Sequence, residues 1–269
     1  MWRKLAVCTV AAVSALLLTG CARQDTETTA TLEATVVPVA SGNAAPAPNG
    51  AAPTSDPPAV DVDAPLSPCG DIGTAATLPD CMLQSHDAAA LAFEVRHTGS
   101  RAHVVTTVNV LSGGQARQSI VESDTDAAGA IPKLRDLDAD GRDELIIPLA
   151  LTTANARYAI YHVTGGALDY HRAGELSGVG MDTSGAGYVI VSARAGYASW
   201  DIEFWTFVTD TLHPLITAQV RPIDDGSGKV AGTTCTTIDS GGLDITGLTQ
   251  DQATQQFCAE PAVQRVRRH

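Results

Sequence analysis

From Leu91 onward the chain alternates between short apolar runs and clusters of turn-forming residues. Leu91–His97 is closed by Thr98-Gly99-Ser100, and His103–Leu111, rich in Val and Thr, is closed by Ser112-Gly113-Gly114. Further runs are Ser119–Val121, Glu144–Leu149, Tyr158–Val163, Leu168–His171, Tyr188–Ala193, Asp201–Val208 and Pro214–Val220. Runs this short, β-branched or aromatic and bounded by Gly, Asn, Asp or Ser, predict strands. Alternation is clearest in Asp201–Val208. There Ile202, Phe204, Thr206 and Val208 fall on one face, and Asp201, Glu203, Trp205 and Phe207 on the other. Gly165-Gly166 and Asp210-Thr211 fit hairpin turns. The expected fold is mainly β and antiparallel, a sandwich, barrel or vestigial propeller-like array. One short helix is expected near the end, where Thr249 and Gln252 make a capping box and Asp251 suits the first turn, with the helix running to about Cys258.

The N-terminal part has a different pattern. Arg3 and Lys4 precede an apolar stretch from Leu5 to Leu18, the layout of a secretory leader over residues 1–20. That stretch is shorter than the ~20 residues a spanning helix needs. Leu18-Thr19-Gly20-Cys21 resembles a bacterial lipobox, which implies that Cys21 is lipidated and becomes the new N-terminus. Residues 21–66 read as the lipidated Cys and a disordered tether. They hold seven of the 14 prolines and no aromatic residue, so they bury too little apolar surface to offset ordering entropy. The folded domain is expected over residues 67–269, outside the cytoplasm and held to the membrane by lipid alone. A net charge of -13 excludes the basic footprint of a nucleic-acid binder.

Cys8 leaves with the leader, so four exported thiols remain: Cys69, Cys81, Cys235 and Cys258. Neither close pair has the spacing of a zinc module. Three pairings are possible, and Cys69–Cys81 with Cys235–Cys258 is favoured because each closes a short local loop.

The most specific chemical signal is Asp136-Leu137-Asp138-Ala139-Asp140-Gly141-Arg142-Asp143-Glu144, with carboxylates at loop positions 1, 3, 5 and 9. Gly at position 6 permits the sharp turn around a hard cation that wants six to eight oxygens. An EF-hand needs a bidentate Glu at position 12, but Ile147 stands there inside a strand-like run. The loop resembles instead the calcium loops of FG-GAP and related propeller repeats. That resemblance implies ligation by the side chains of Asp136, Asp138, Asp140 and Glu144 and by the carbonyl of Arg142, with calcium as the ion. The loop occurs once; Asp182-Thr183-Ser184-Gly185 and Asp224-Asp225-Gly226 are fragments without the full ligand set.

The calcium loop, Tyr158-Ala-Ile-Tyr161, Gly166-Ala-Leu168 and the stretch Tyr188–Phe207 together resemble a family of bacterial periplasmic lipoproteins. That family has a vestigial β-propeller fold, one calcium loop and affinity for lysozyme-like hydrolases. The resemblance implies a hydrolase inhibitor; the alternative is a structural or accessory envelope lipoprotein. Catalysis is not expected, because no HExxH, GxSxG or SxxK motif occurs. The seven His are scattered and read as surface or satisfied core residues. Ser192–Trp200 reads as a polar loop between two strands carrying Arg194, Gly196, Tyr197 and Trp200. These include the residue types that dominate interface hot spots, and they form the candidate partner-binding set.

Overall fold

In the computed structural model, residues 66–70, 78–100, 103–125 and 130–267 are described. The leader, Cys21 and almost all of the tether lie outside the described residues. The strands are β1 (Cys81–Gln84), β2 (Ala92–Ser100), β3 (His103–Ser112), β4 (Gln115–Thr125), β5 (Lys133–Arg135), β6 (Glu144–Leu151), β7 (Ala156–His162), β8 (His171–Gly178), β9 (Gly180–Thr183), β10 (Val189–Gly196), β11 (Ser199–Val208), β12 (Thr211–Asp224) and β13 (Val230–Asp239). Helices α1 (Leu243–Thr246), α2 (Gln250–Cys258) and α3 (Pro261–Arg267) follow.

Every named strand pairing is antiparallel, and strands adjacent in sequence are adjacent in the sheet. Sheet one runs β1-β2-β3-β4, sheet two β5-β6-β7-β8, and sheet three β13-β12-β11-β10-β9. Each is an open up-and-down meander, the layout short turns produce when each apolar run folds back on the last. The fold is therefore mainly antiparallel β, as the pattern predicts, and its C-terminal end carries three short helices where one was expected.

Three apolar clusters stack these layers. Phe93, Val95, Val108 and Val110 of sheet one pack with Leu145, Ile147, Ala159 and Tyr161 of sheet two. Ile146, Ile160 and Leu176 of sheet two pack with Val189, Val191 and Leu212 of sheet three. Ile202, Phe204, Ile216 and Ala218 of sheet three pack with Ala253, Phe257 and Val263 of the helices. Sheet two is thus covered on both faces, and Glu144–Leu149 of β6 is buried at every position. This explains why β6 reads as a continuous apolar run instead of an alternating one. In β11 the predicted alternation holds: Ile202 and Phe204 face the helices, Trp205 and Phe207 face sheet two.

Several elements differ from expectation. The run Leu168–His171 is mostly connection, and β8 begins only at His171. The strand β13 is not visible in the apolar pattern because nearly all of it is exposed or half-buried, with Thr at four of its ten positions. The helix α2 starts and ends where expected. Gln252 N–H donates to Thr249 Oγ1 at 3.4 Å, and Thr249 N–H donates to Gln252 Oε1 at 2.9 Å. Both favoured disulfides are present. Cys69–Cys81 ties the segment before β1 to that strand, and Cys235–Cys258 ties α2 to β13. Disulfides of this kind persist in oxidising compartments. Among the described residues no helix is long and apolar enough to cross a membrane.

The helical cover rests on burial more than on capping. Phe257→Ala should lower stability by about 3–5 kcal/mol in urea unfolding. Thr249→Ala, which removes one half of the capping box, should cost about 1 kcal/mol. Equal losses for the two would contradict this ranking.

Candidate metal centre

The loop from Asp136 to Asp143 joins β5 to β6, and Glu144 is the first residue of β6. Short Asx-type hydrogen bonds shape it. Asp138 Oδ1 accepts from Asp140 N–H at 3.2 Å, Asp140 Oδ1 from Arg142 N–H at 2.7 Å, and Asp136 Oδ2 from Gly141 N–H at 3.1 Å. Gly141 adopts φ 87, the left-handed conformation the tight turn requires, and Ala139 is also left-handed at φ 62.

The neighbouring layers clamp this loop. Thr183 Oγ1 donates to the Asp136 carbonyl at 3.1 Å. Gly187 lies so close that a Cβ there would sit 2.5 Å from the Asp138 carbonyl oxygen. On the other side Arg142 turns its side chain away from the carboxylates and into the protein. Its Nε donates to Asp87 Oδ2 at 3.0 Å, and its guanidinium reaches the carbonyls of Gly165 and Ala167. Asp143 joins in, its N–H donating to Asp87 Oδ2 at 3.1 Å while its own carboxylate accepts from His86 N–H at 2.7 Å. Burial pushes the Asp87 carboxyl up, but the hydrogen bonds from Asp143, Arg142, Ala89 and Ser85 outweigh it and hold it below the usual carboxylate range.

Asp136, Asp138 and Glu144 each bring one oxygen within 4.8 Å of the others. Asp138 and Asp140 form a second such group with His162. Glu144 is 0% exposed. Its Oε2 accepts from Leu137 N–H at 2.6 Å, but its Oε1 has no hydrogen-bond partner. Among the described residues four buried side-chain atoms lack a partner, and three of them meet here: Glu144 Oε1, Asp136 Oδ1 and His162 Nε2. Buried polar atoms are normally satisfied, and an orphan cluster of this composition is what a bound cation would complete. The donors therefore fit a metal ion.

The incomplete acidic fragments behave otherwise. Asp182 pairs with Arg135 and Arg265, and the Asp224 and Asp225 carboxylates accept N–H groups of their own turn. Each of these carboxylates has partners of its own within the protein.

His162 is a neighbour of the loop that spacing did not reveal. It ends β7, 24 positions after Asp138 in the chain, and is 3% exposed. Its ring stacks on Phe207 with centroids 4.0 Å apart, and its Nδ1 lies 2.8 Å from Asp210 Oδ1. Its Nε2 lies 3.5 Å from Asp138 Oδ2 and 3.9 Å from Glu144 Oε1. Asp210 sits in the turn between β11 and β12, whose two residues, Thr209 and Asp210, are both left-handed at φ 48 and 59. The turn is thus one residue earlier than the Asp210-Thr211 the sequence suggests.

The four residues of the candidate partner surface share one hairpin. The loop expected over Ser192–Trp200 is almost entirely strand: Arg194 and Gly196 belong to β10 and Trp200 to β11, so only Tyr197 and Ala198 form the turn. Arg194 stacks over the Trp200 ring, 4.5 Å from its centroid, and Tyr197 at the tip is 90% exposed. Asn155 fixes the stem, with its Oδ1 accepting from Arg194 N–H at 2.9 Å.

No protein-family model matches the chain, and no curated protein matches it. Among solved structures, the chain is similar to one described as a Xanthomonas Type IV secretion system related protein, with a TM-score of 0.34 and 10% identity, over 60% of this chain and 89% of that one.

The electrostatics of the cluster set its pH response. Burial, opposed by the Leu137 N–H and reinforced by Asp138, Asp140 and Asp136, pushes the Glu144 carboxyl from 4.5 up to about 9. Burial opposes a charge on His162, but Asp138 and Asp210 outweigh it and raise its pKa above 6.5. Both groups hold a proton more tightly in the folded state. Their contribution is complete below pH 4.5 for Glu144 and below 6.5 for His162, and is lost as pH rises through the folded values. The chelated domain should therefore melt at a lower temperature at pH 8 than at pH 5. Saturating divalent cation, or Glu144→Gln, should flatten that slope. A chelated domain whose Tm rises over the same range would overturn the assignment.

Proposed function

We propose that this chain is a cell-envelope lipoprotein whose calcium-binding β domain binds and inhibits a lysozyme-like wall hydrolase. The observation that carries the proposal is the tip of the β10–β11 hairpin. A tyrosine exposed at 90% on a two-residue turn, above an Arg–Trp stack, is an amphipathic anchor on a rigid stem. Glycoside hydrolases hold a pair of carboxylates beside an open substrate cleft. Tyr197 has the shape to enter such a cleft, and Arg194 carries the charge to pair with an acid inside it. Lipidation at Cys21, with residues 22–66 as tether, would hold the domain where enzymes attacking the wall are met.

Calcium is the ion the oxygen-rich loop suits, and its role here is structural. Without a cation, carboxylates converging on one buried point repel one another and lose solvation. An ion bound only by the folded state adds RT ln(1 + [L]/Kd), about 2.7 kcal/mol at a hundredfold excess over Kd. EGTA should accordingly lower the Tm, and Asp138→Ala should abolish the difference between chelated and loaded samples. Superimposable melting curves with and without chelator would rule out the calcium role.

Inhibition is tested with the purified domain in a turbidity assay against lysozymes and other muramidases. Tyr197→Ala should weaken inhibition by about thirtyfold, the effect of losing a central anchor worth some 2 kcal/mol, while leaving the calcium-dependent Tm unchanged. If the wild-type domain inhibits none of these enzymes, the reading as an accessory envelope lipoprotein replaces this one. Inhibition that survives Tyr197→Ala unchanged would keep the partner class and discard the surface.

A further inference from the structure

We infer that His162 Nε2 is a ligand of the cation centre, so that the site holds Mn²⁺ more tightly than Ca²⁺. The inference rests on reading the Asp136–Glu144 loop as a cation site and adds a nitrogen donor to its oxygens.

Three contacts fix the imidazole. Phe207 lies flat against one face, with the ring planes 13° apart. Asp210 Oδ1 is 2.8 Å from Nδ1, and a carboxylate can only accept, so the proton on that side belongs to Nδ1. Thr164 Oγ1 also donates to Asp210 Oδ1, which holds the carboxylate in position. The turn that presents Asp210 keeps Thr209, a β-branched residue, in the left-handed region. A carboxylate that orients a histidine through one nitrogen, leaving the other to face a cation site, is the standard outer support of a metal-bound imidazole.

The free nitrogen faces the right atoms. Nε2 has no hydrogen-bond partner and lies 3.5 Å from Asp138 Oδ2 and 3.9 Å from Glu144 Oε1, itself unpartnered. A neutral ring with its proton on Nδ1 would aim the Nε2 lone pair at carboxylate oxygens, so the arrangement calls for a positive species there, a second ring proton or a metal ion, and an ion held by the carboxylates would take the place of that proton. Asp138 belongs to both ligand groups, the oxygen set with Asp136 and Glu144 and the mixed set with Asp140 and His162. One ion can therefore draw on both. Calcium takes oxygen donors almost exclusively, whereas a first-row divalent ion gains from an imidazole. Mn²⁺ combines that gain with a tolerance for several carboxylates.

The test uses the purified, metal-stripped domain, with Ca²⁺ and Mn²⁺ as separate probes read by calorimetry and by Tm. Wild type should bind Mn²⁺ at least tenfold more tightly than Ca²⁺. His162→Gln should weaken Mn²⁺ by ten- to a hundredfold and change Ca²⁺ by less than about threefold, and Asp210→Asn should weaken Mn²⁺ by about tenfold. Pulsed electron paramagnetic resonance of the Mn²⁺-loaded wild-type domain should show coupling to an imidazole nitrogen. That measurement needs no variant and decides the matter if His162→Gln fails to fold. Calcium binding with no nitrogen coupling to Mn²⁺, or Mn²⁺ affinity unchanged in His162→Gln, would overturn the nitrogen ligand and leave the calcium reading standing. If neither ion binds or shifts the Tm, both readings fall together.

Discussion

A carboxylate with no solvent contact stands at the first residue of the strand that both neighbouring sheets cover. Glu144 enters β6 where Leu145 turns to one apolar cluster and Ile146 to the other. Removing a carboxylate from water is costly unless a proton or a cation compensates it. Everything nearby reflects that constraint: the Leu137 N–H that satisfies one oxygen, the aspartates gathered around the other, and the imidazole that faces them from β7. Its Oε1 has no hydrogen-bond partner, so the position lacks the compensation that a proton or a cation would supply.

The carboxylate loop was legible because its donors are contiguous in sequence. A tight turn around a cation needs acids at alternate positions and one Gly, and such a pattern can be read without knowing the fold. The same holds for the Thr249–Gln252 cap and the two local disulfides, whose partners lie within 23 positions of each other. The supporting residues carry no such pattern. His162 nears the loop because β7 pairs beside β6, Asp210 reaches His162 and Asp87 reaches the loop only because the sheets stack, and Asp87 lies 55 positions from Arg142, with which it pairs. No spacing rule survives that distance. Arg142, expected to contribute a carbonyl, also has a side-chain role that sequence could not suggest, since its guanidinium fastens the loop to the β7–β8 connection and to Asp87.

The strands follow the same logic. Those buried on one or both faces show themselves through apolar alternation or continuity. The edge strands do not. β5 and β9 are three and four residues long, and β13 is a Thr-rich edge whose side chains lie mostly in or near solvent. Short or polar edges are how open sheets avoid pairing with other chains, and the same property makes them hard to see in a sequence. The hairpin β10–β11 is the converse case: its apolar stem was visible and its tip was over-counted as loop, because Arg194 and Trp200 look like loop residues while pairing across the ladder.

The order of the layers has a consequence for how the molecule comes apart. Each apolar cluster joins one sheet to its successor in the chain, and the last joins sheet three to the helices. Such a stack behaves as a one-dimensional array, in which stability is a sum over adjacent contacts instead of a property of one shared core. The carboxylate loop belongs to the middle layer and touches both of its neighbours, through Asp87 on one side and Thr183 and Gly187 on the other. Disturbing this loop would loosen two interfaces at once. The unit of sheet three and its helices keeps its own cluster and its own disulfide, so it forms a natural unfolding boundary. Cooperativity between the layers then depends on this loop's contacts to both neighbours, and not only on the apolar clusters.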